Sequence, residues 1–170
     1  MRISILYMSV TGHTEEMSHE IAEGIIEAGC ECYLCNIFKS ELDKEAVSSS
    51  CGVIFGSPVY LATLPWQMQQ FFETGCKDFD LAGKLGGAFA TAHYAQGGAD
   101  TAIMSMLGIL LVKGMLVYSG GSALGLPFIH HGPVALDKEG AHFDTSREMF
   151  RAFGRRFAAK CQELFGEKHR

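Results

Sequence analysis

Ser9, Thr11 and Thr14 bring three hydroxyl groups within six residues, with Gly12 among them. The apolar run Ile3 to Met8 precedes them, and Glu15 to Ile26 follows with Met17, Ile21, Ala22 and Ile25 at helical spacing. A turn at a helix start gathers hydroxyl donors, unpaired backbone N–H groups and the positive end of the helix dipole. That set can bind a phosphate without Lys or Arg. Gly12 allows a backbone turn, or a close approach to a ligand, that a Cβ would obstruct. No Gly-x-Gly-x-x-Gly and no Gly-Lys-Ser/Thr ending is present, which argues against a dinucleotide fingerprint and a triphosphate loop. An ordinary N-capped helix uses the same residue types, so the hexapeptide alone leaves both readings open.

Two further stretches carry chemistry. Gly56-Ser57-Pro58-Val59-Tyr60-Leu61-Ala62 follows a buried apolar run and leads through Pro65 into a helical pattern. A flat ring needs such apolar surfaces beside backbone polar groups. Thr91-Ala92-His93-Tyr94-Ala95-Gln96-Gly97-Gly98 leaves another apolar run, and its glycines let backbone N–H groups approach a ring edge. Donors there can stabilise a negative charge on a ligand. His130 and His131 lie in a later Gly- and Pro-containing stretch, where an imidazole could hydrogen-bond or protonate a substrate oxygen.

Ser-x-Thr-Gly-x-Thr after a first strand resembles the phosphate loop of the flavodoxin-like flavoproteins. Gly-Ser-Pro-x-Tyr, followed by Gln-Met-x-x-Phe on a helix, is similar to the second flavin loop of the NAD(P)H-dependent FMN reductases and the flavodoxin-like quinone reductases. The loop ending in Gly97-Gly98, with Gly114-Met115 after the next helix, matches as well, and the resemblance covers nearly the whole chain in element order.

The resemblance implies FMN as cofactor. Ser9, Val10, Thr11, Gly12, His13 and Thr14 would surround its phosphate. Ser57, Pro58, Val59, Tyr60, Leu61 and Ala62 would flank the isoalloxazine, with Thr91, Ala92, His93, Tyr94, Gln96, Gly97 and Gly98 on its pyrimidine side. It also implies an enzyme that takes electrons from NADH or NADPH and passes them to a quinone, a flavin or a similar small molecule. Tyr94 would line the pocket mouth, and His131, or its neighbour His130, would meet a quinone oxygen. His93, Tyr94 and Gln96 depart from the small residues usual at this place. An aromatic there can stack on the ring, as in electron-carrier flavodoxins, so the alternative is a non-enzymatic carrier. The chain is short beside the tetrameric quinone reductases, and a homo-oligomer is left open.

Strand and helix patterns must position these loops. Strand patterns run over residues 3–8, 32–38, 51–56, 85–92 and 115–118, and helical patterns over 15–26, 65–74, 99–113 and 144–165, with at most a short helix near 43–47. The alternation predicts an α/β fold with a doubly wound parallel sheet, and the resemblance implies five strands in the flavodoxin-like order 2-1-3-4-5 with helices on both faces. Residues 119–143 read as a long loop, and Met149, Phe153, Phe157 and Leu164 as the buried stripe of the last helix.

The 170 residues fit a single domain, 1–170, able to bury a substantial core. No apolar run reaches eighteen residues, so no membrane span is expected. Met1 to Ser4 enters a strand with no signal-peptide pattern, and a cytoplasmic location is expected. The net charge is −5 and no basic patch suggests nucleic acid; Arg147, Arg151, Arg155 and Arg156 read as a solvated helix face. Cys30, Cys32 and Cys35 cluster, but no fourth ligand has a matching spacing, so all six cysteines are expected as structural or free thiols with no metal. No Ser–His–Asp or Cys–His nucleophile arrangement is evident.

Overall fold

A computed structural model describes residues 1–136 and 141–166, apart from the side chain of Ala141. The elements in chain order are β1 (Arg2–Tyr7), α1 (His13–Glu27), β2 (Glu31–Asn36), α2 (Lys44–Ser48), β3 (Gly52–Pro58), α3 (Trp66–Glu73), β4 (Leu85–Ala92), α4 (Ala99–Val112), β5 (Leu116–Val117), β6 (Val134–Leu136) and α5 (Ala141–Phe165). The strands pair in parallel, as the alternation of strand and helix patterns predicts, and in the order β2-β1-β3-β4-β5 that the resemblance implies. Parallel pairing needs crossovers, and here helices supply most of them, covering both faces.

The covered faces explain the continuous apolar strands. Ile3, Ile5, Tyr7 and Ile54 point to a core shared with α1 and α5, including Met17, Ile21, Phe150, Phe153 and Phe157. Leu6, Met8, Val53 and Phe55 point to the opposite core, with Met68, Phe72, Ile103, Met106 and Leu110 of α3 and α4. The two faces alternate along each strand, which is the period of the pleat.

Three details differ from expectation. The long loop after β5 contains another strand: β6 pairs with Ala90–Ala92 of β4, while β5 pairs with Leu85 and Gly86. The fifth position of the sheet is therefore split in two, with residues 118–133 as the excursion between the halves. Residues 137–140 of the predicted loop lie outside the described residues.

Leu164 is not part of the buried stripe of α5, being 45% exposed; Phe150 and Cys161 are fully buried instead. The arginines of α5 are not merely a solvated face. Arg147 reaches Glu20 at 3.0 Å and also Glu16, Arg151 reaches Glu20 at 2.7 Å, and Arg155 reaches Glu27 at 2.8 Å. These pairs form a ladder between α5 and α1. The helix backbones touch beneath it: a Cβ on Gly24 would fall 2.0 Å from the Arg151 carbonyl oxygen. Arg156 points elsewhere and donates to the carbonyls of Gly120, Gly125, Leu126 and Pro127, gathering the excursion into one fold.

Candidate functional site

The carboxyl ends of β1, β3 and β4 open into one cleft, where the sheet order reverses direction. Its volume is about 250 Å³. Ser9, Val10, Thr11, His13 and Thr14 form one wall; Pro58, Val59 and Tyr60 form the second; Thr91, Ala92 and His93 form the third. The three loops singled out in the sequence are thus brought together by the strand ends that carry them.

The first wall gathers hydroxyls and backbone amides at a helix start. Gly12 has φ +102°, a left-handed conformation that favours glycine, and precedes α1. The Glu16 N–H donates to the Gly12 carbonyl at 2.8 Å, so the amides of His13, Thr14 and Glu15 precede the first intrahelical bond. Ser9 accepts the Gly12 N–H at 3.2 Å through its hydroxyl oxygen, which leaves its hydroxyl hydrogen for an acceptor in the cleft. Thr11 is exposed, with its hydroxyl 3.2 Å from His13 Nδ1. The wall contains no Lys or Arg.

The acidic residues of the first turn of α1 are held by other partners. Glu15 accepts from the Tyr7 phenol at 3.3 Å and from Lys39 at 3.5 Å, and Glu16 pairs with Arg147. Burial, with the Glu15 carboxylate beside it, pushes the Tyr7 phenol up to about 12, so the phenol keeps its proton to donate.

Asn36, at the end of β2, escaped the sequence reading. Its amide nitrogen donates to the Ser9 carbonyl at 2.9 Å, and its side-chain oxygen accepts the Ser9 N–H at 3.3 Å and the Phe38 N–H at 3.2 Å. Asn36 thereby fixes the start of the phosphate-type loop from the neighbouring strand. The available signal was a polar residue inside the otherwise apolar run 32–38.

Thr14 and Thr91 meet at the floor of the cleft, with their hydroxyl oxygens 2.8 Å apart and both residues buried. One hydroxyl donates to the other, and the pair keeps one hydrogen for a further acceptor. Thr91 also accepts the Val59 N–H through its carbonyl at 3.0 Å, which joins the second and third walls.

The second loop turns tightly. Tyr60 and Thr63 exchange backbone hydrogen bonds of 3.1 Å across Leu61 (φ +51°) and Ala62 (φ +61°). Two adjacent non-glycine residues in this region store strain of roughly 1–2 kcal/mol each. Leu61 is 99% exposed at the tip.

The remaining candidate residues stand around the cleft rather than in its lining. Ser57 is buried below and donates its hydroxyl to the Pro58 carbonyl at 2.8 Å. Gly97 and Gly98 lead into α4, and Gln96 is exposed ahead of them. Tyr94 is 66% exposed and packs edge-on to His93, ring centroids 5.0 Å apart. His131 and His130 are both exposed, and His131 Nδ1 lies 3.6 Å from Asp100 at the start of α4. Neither histidine lines the cleft.

Among the described residues no group of three or more His, Cys, Asp or Glu is arranged to hold a metal, and no helix is long and apolar enough to cross a membrane. All six cysteines are free thiols, and burial pushes Cys32 and Cys76 up to about 12.

A sequence model described as a flavodoxin domain matches residues 4–105. A protein of Clostridium saccharobutylicum named flavodoxin is 42% identical over 166 residues, covering 97% of this chain and 100% of its own length. An NAD(P)H dehydrogenase (quinone) of Sinorhizobium fredii is 27% identical, covering 81% of this chain and 76% of the relative. Among solved structures, a flavodoxin from the domain Archaea aligns with a TM-score of 0.77 at 18% identity, over 95% of this chain and 99% of that one.

Proposed function

The chain belongs to the flavodoxin family, and on that premise we propose that it holds FMN in the cleft at the strand ends and serves as an electron carrier. The residues fit that group. The amides at the start of α1, with the Ser9 and Thr11 hydroxyls, suit a phosphate, and the absence of Lys and Arg there matches a site that binds through the helix terminus. The hydroxyl pair of Thr14 and Thr91 supplies a further donor at the floor. Val59, Tyr60 and Ala92 offer apolar surface for a flat ring. When bound, FMN supplies redox chemistry that none of these side chains has.

The observation that carries the reading is the size and openness of the cleft. About 250 Å³ is less than a pocket that encloses a drug-sized ligand, typically ~300–1,000 Å³. A flavin seated there keeps one edge toward solvent, where a redox partner can approach. In this reading the protein orients the ring, shields part of it from water and leaves electron entry and exit to that edge. Full-length similarity to a protein named flavodoxin supports the same role.

A second reading, an NAD(P)H-dependent reductase of a quinone or flavin, is favoured by the exposed position of Tyr94. The side chain is 66% exposed and is not among the residues that line the cleft, which suits a place at its mouth, and the relatives include proteins named NAD(P)H dehydrogenase (quinone). Anaerobic titration of the FMN-loaded chain with NADH and NADPH separates the two. A carrier keeps its flavin absorbance with either nucleotide yet loses it to dithionite. Rapid bleaching by a nicotinamide moves the protein to the reductases, and failure to retain FMN removes both readings.

A further inference from the structure

We propose that Cys51 is a site of oxidation by hydroperoxides, with Cys161 as the thiol that resolves it to a reversible disulfide. Cys51 immediately precedes β3, whereas Pro58, at the other end of that strand, lines the cleft. The seven residues of β3 put the two places roughly 20 Å apart. The site is therefore independent of the flavin reading.

The chain brings the two sulfurs together over a glycine. Cys161, on α5, is fully buried in the core that α5 shares with α1 and the sheet, and Cys51 packs against the same core. The Cys161 Sγ lies 2.9 Å from the place a Cβ of Gly52 would occupy, and Gly52 is the next residue after Cys51. A glycine at this position leaves room for the sulfur at the start of β3. The Cys161 thiol donates to the Cys51 sulfur, and the Cys51 thiol donates in turn to the Arg2 carbonyl at 3.2 Å.

The environment separates an attacking thiol from a resolving one. Cys51 is partly exposed, so an oxidant from solvent reaches it before the buried Cys161. The hydrogen bond from Cys161 outweighs burial and, with Lys84 adding positive charge, draws the Cys51 thiol below its ordinary range. Lys84 is held at this place by the Ser48 and Ser50 carbonyls, at 2.7 and 2.6 Å. The other cysteines are raised: Cys161 first by its bond to Cys51, and Cys30, Cys32, Cys35 and Cys76 first by burial. The thiolate is the form that attacks an oxidant, and Cys51 is the thiol placed to supply it.

Cys30 is the rival partner. It stands just ahead of β2, and β1 lies between β2 and β3. Two strand spacings put the backbones of Cys30 and Cys51 roughly 10 Å apart, beyond the ~7 Å that a disulfide spans.

The reaction has two steps. The Cys51 thiolate attacks the hydroperoxide: an S–O bond forms, the O–O bond breaks, and the departing oxygen takes up a proton. The Cys161 sulfur then attacks the sulfenic acid: the S–S bond forms, the S–O bond breaks, and the hydroxyl leaves as water with the Cys161 proton. The two thiols lose two electrons and two protons, and the peroxide gains them.

The test uses the full chain and hydrogen peroxide. After a stoichiometric dose at neutral pH and alkylation of the remaining thiols, peptide mapping should find one intrachain cross-link, Cys51 to Cys161, which dithiothreitol reverses. In Cys161→Ala, Cys51 should stop at the sulfenic acid and be trapped by dimedone. Without peroxide, iodoacetamide should alkylate Cys51 at least about tenfold faster than any other cysteine. A parent chain that keeps all its thiols, or first oxidation at another cysteine, overturns the proposal. So does a cross-link from Cys51 to Cys30 or to a second chain, or a Cys51 sulfinic acid formed while Cys161 is still open to alkylation after unfolding. These outcomes are read on the parent protein, so they stand whether or not the variant folds.

Discussion

A Cβ placed on Gly98 would fall 2.4 Å from the Ala62 carbonyl oxygen. The turn after β3 and the start of α4 are therefore in backbone contact, and the strained pair Leu61–Ala62 is braced by it. Two walls of the cleft are interlocked through this single approach.

Gly98→Ala should disturb both. Gly98 has φ +95°, so an alanine there is strained even before the contact with Ala62. The combined cost should be roughly 2 kcal/mol or more. For a chain of this size that lowers Tm by about 4–8 °C. Calorimetry of the variant checks it, and an unchanged Tm would show that the turn simply swings away.

Asn36→Ala should act on the first wall. The substitution leaves the Ser9 N–H and carbonyl without their side-chain partner, at roughly 1–3 kcal/mol for each group left unpaired. FMN affinity should drop more than riboflavin affinity if the displaced segment holds the phosphate as proposed. Equal losses for the two flavins would separate Asn36 from the phosphate loop.

Thr14→Val and Thr11→Val should differ in the flavin-free protein. The first strands the buried Thr91 hydroxyl and should cost about 1–2 kcal/mol of stability. The second removes an exposed hydroxyl and should leave the denaturation midpoint unchanged. Both should weaken FMN. Urea unfolding followed by circular dichroism makes the comparison, and equal midpoints for the two variants would dissolve the hydroxyl pair.

The Tyr7 phenol sets an alkaline limit. Its folded-state value of about 12 lies above the ordinary 10.0, raised chiefly by burial and then by Glu15. The stabilisation is complete below about pH 10 and is lost as pH rises from there through about 12. In Tyr7→Phe that part of the alkaline slope should vanish, and the phenolate absorbance titration should lose one late ionisation. A variant that loses stability over the same window as the parent would exclude Tyr7 as its source.

Glu20→Gln should be far more damaging than Glu31→Gln. Glu20 is nearly buried and receives both Arg147 and Arg151, whereas Glu31 pairs with Arg2 in the open. Discounted for the partial exposure of the two arginines, the first should cost about 1–3 kcal/mol and the second under ~1 kcal/mol. Thermal melts at low and high salt would show the exposed pair fading and the ladder at Glu20 persisting.

The parallel sheet was legible because its strands are short apolar runs separated by helical periodicity, and the three loops because Gly, Ser, Thr and Pro punctuate the strand ends. What escaped the reading depends on partners far apart in the chain. Asn36 matters through Ser9, and Gly98 through Ala62. The arginines of α5 find glutamates of α1 more than 120 residues away, and neither helix alone reveals the match. Leu164 has the spacing of the buried stripe but is close to the end of α5, where exposure prevails. Val134–Leu136 is too short, amid Gly, Pro and His, to stand out as a strand.

The division of the fifth strand position also bears on how the protein avoids sticking to itself. A long outer strand would offer a continuous row of unpaired N–H and C=O groups to any extended chain. Here the outer position holds two residues, then an excursion gathered by Arg156, then three more. Neither piece is long enough to template an added strand, so this edge of the sheet, the one opposite the six-residue edge strand β2, resists strand addition without a charged or proline-blocked strand.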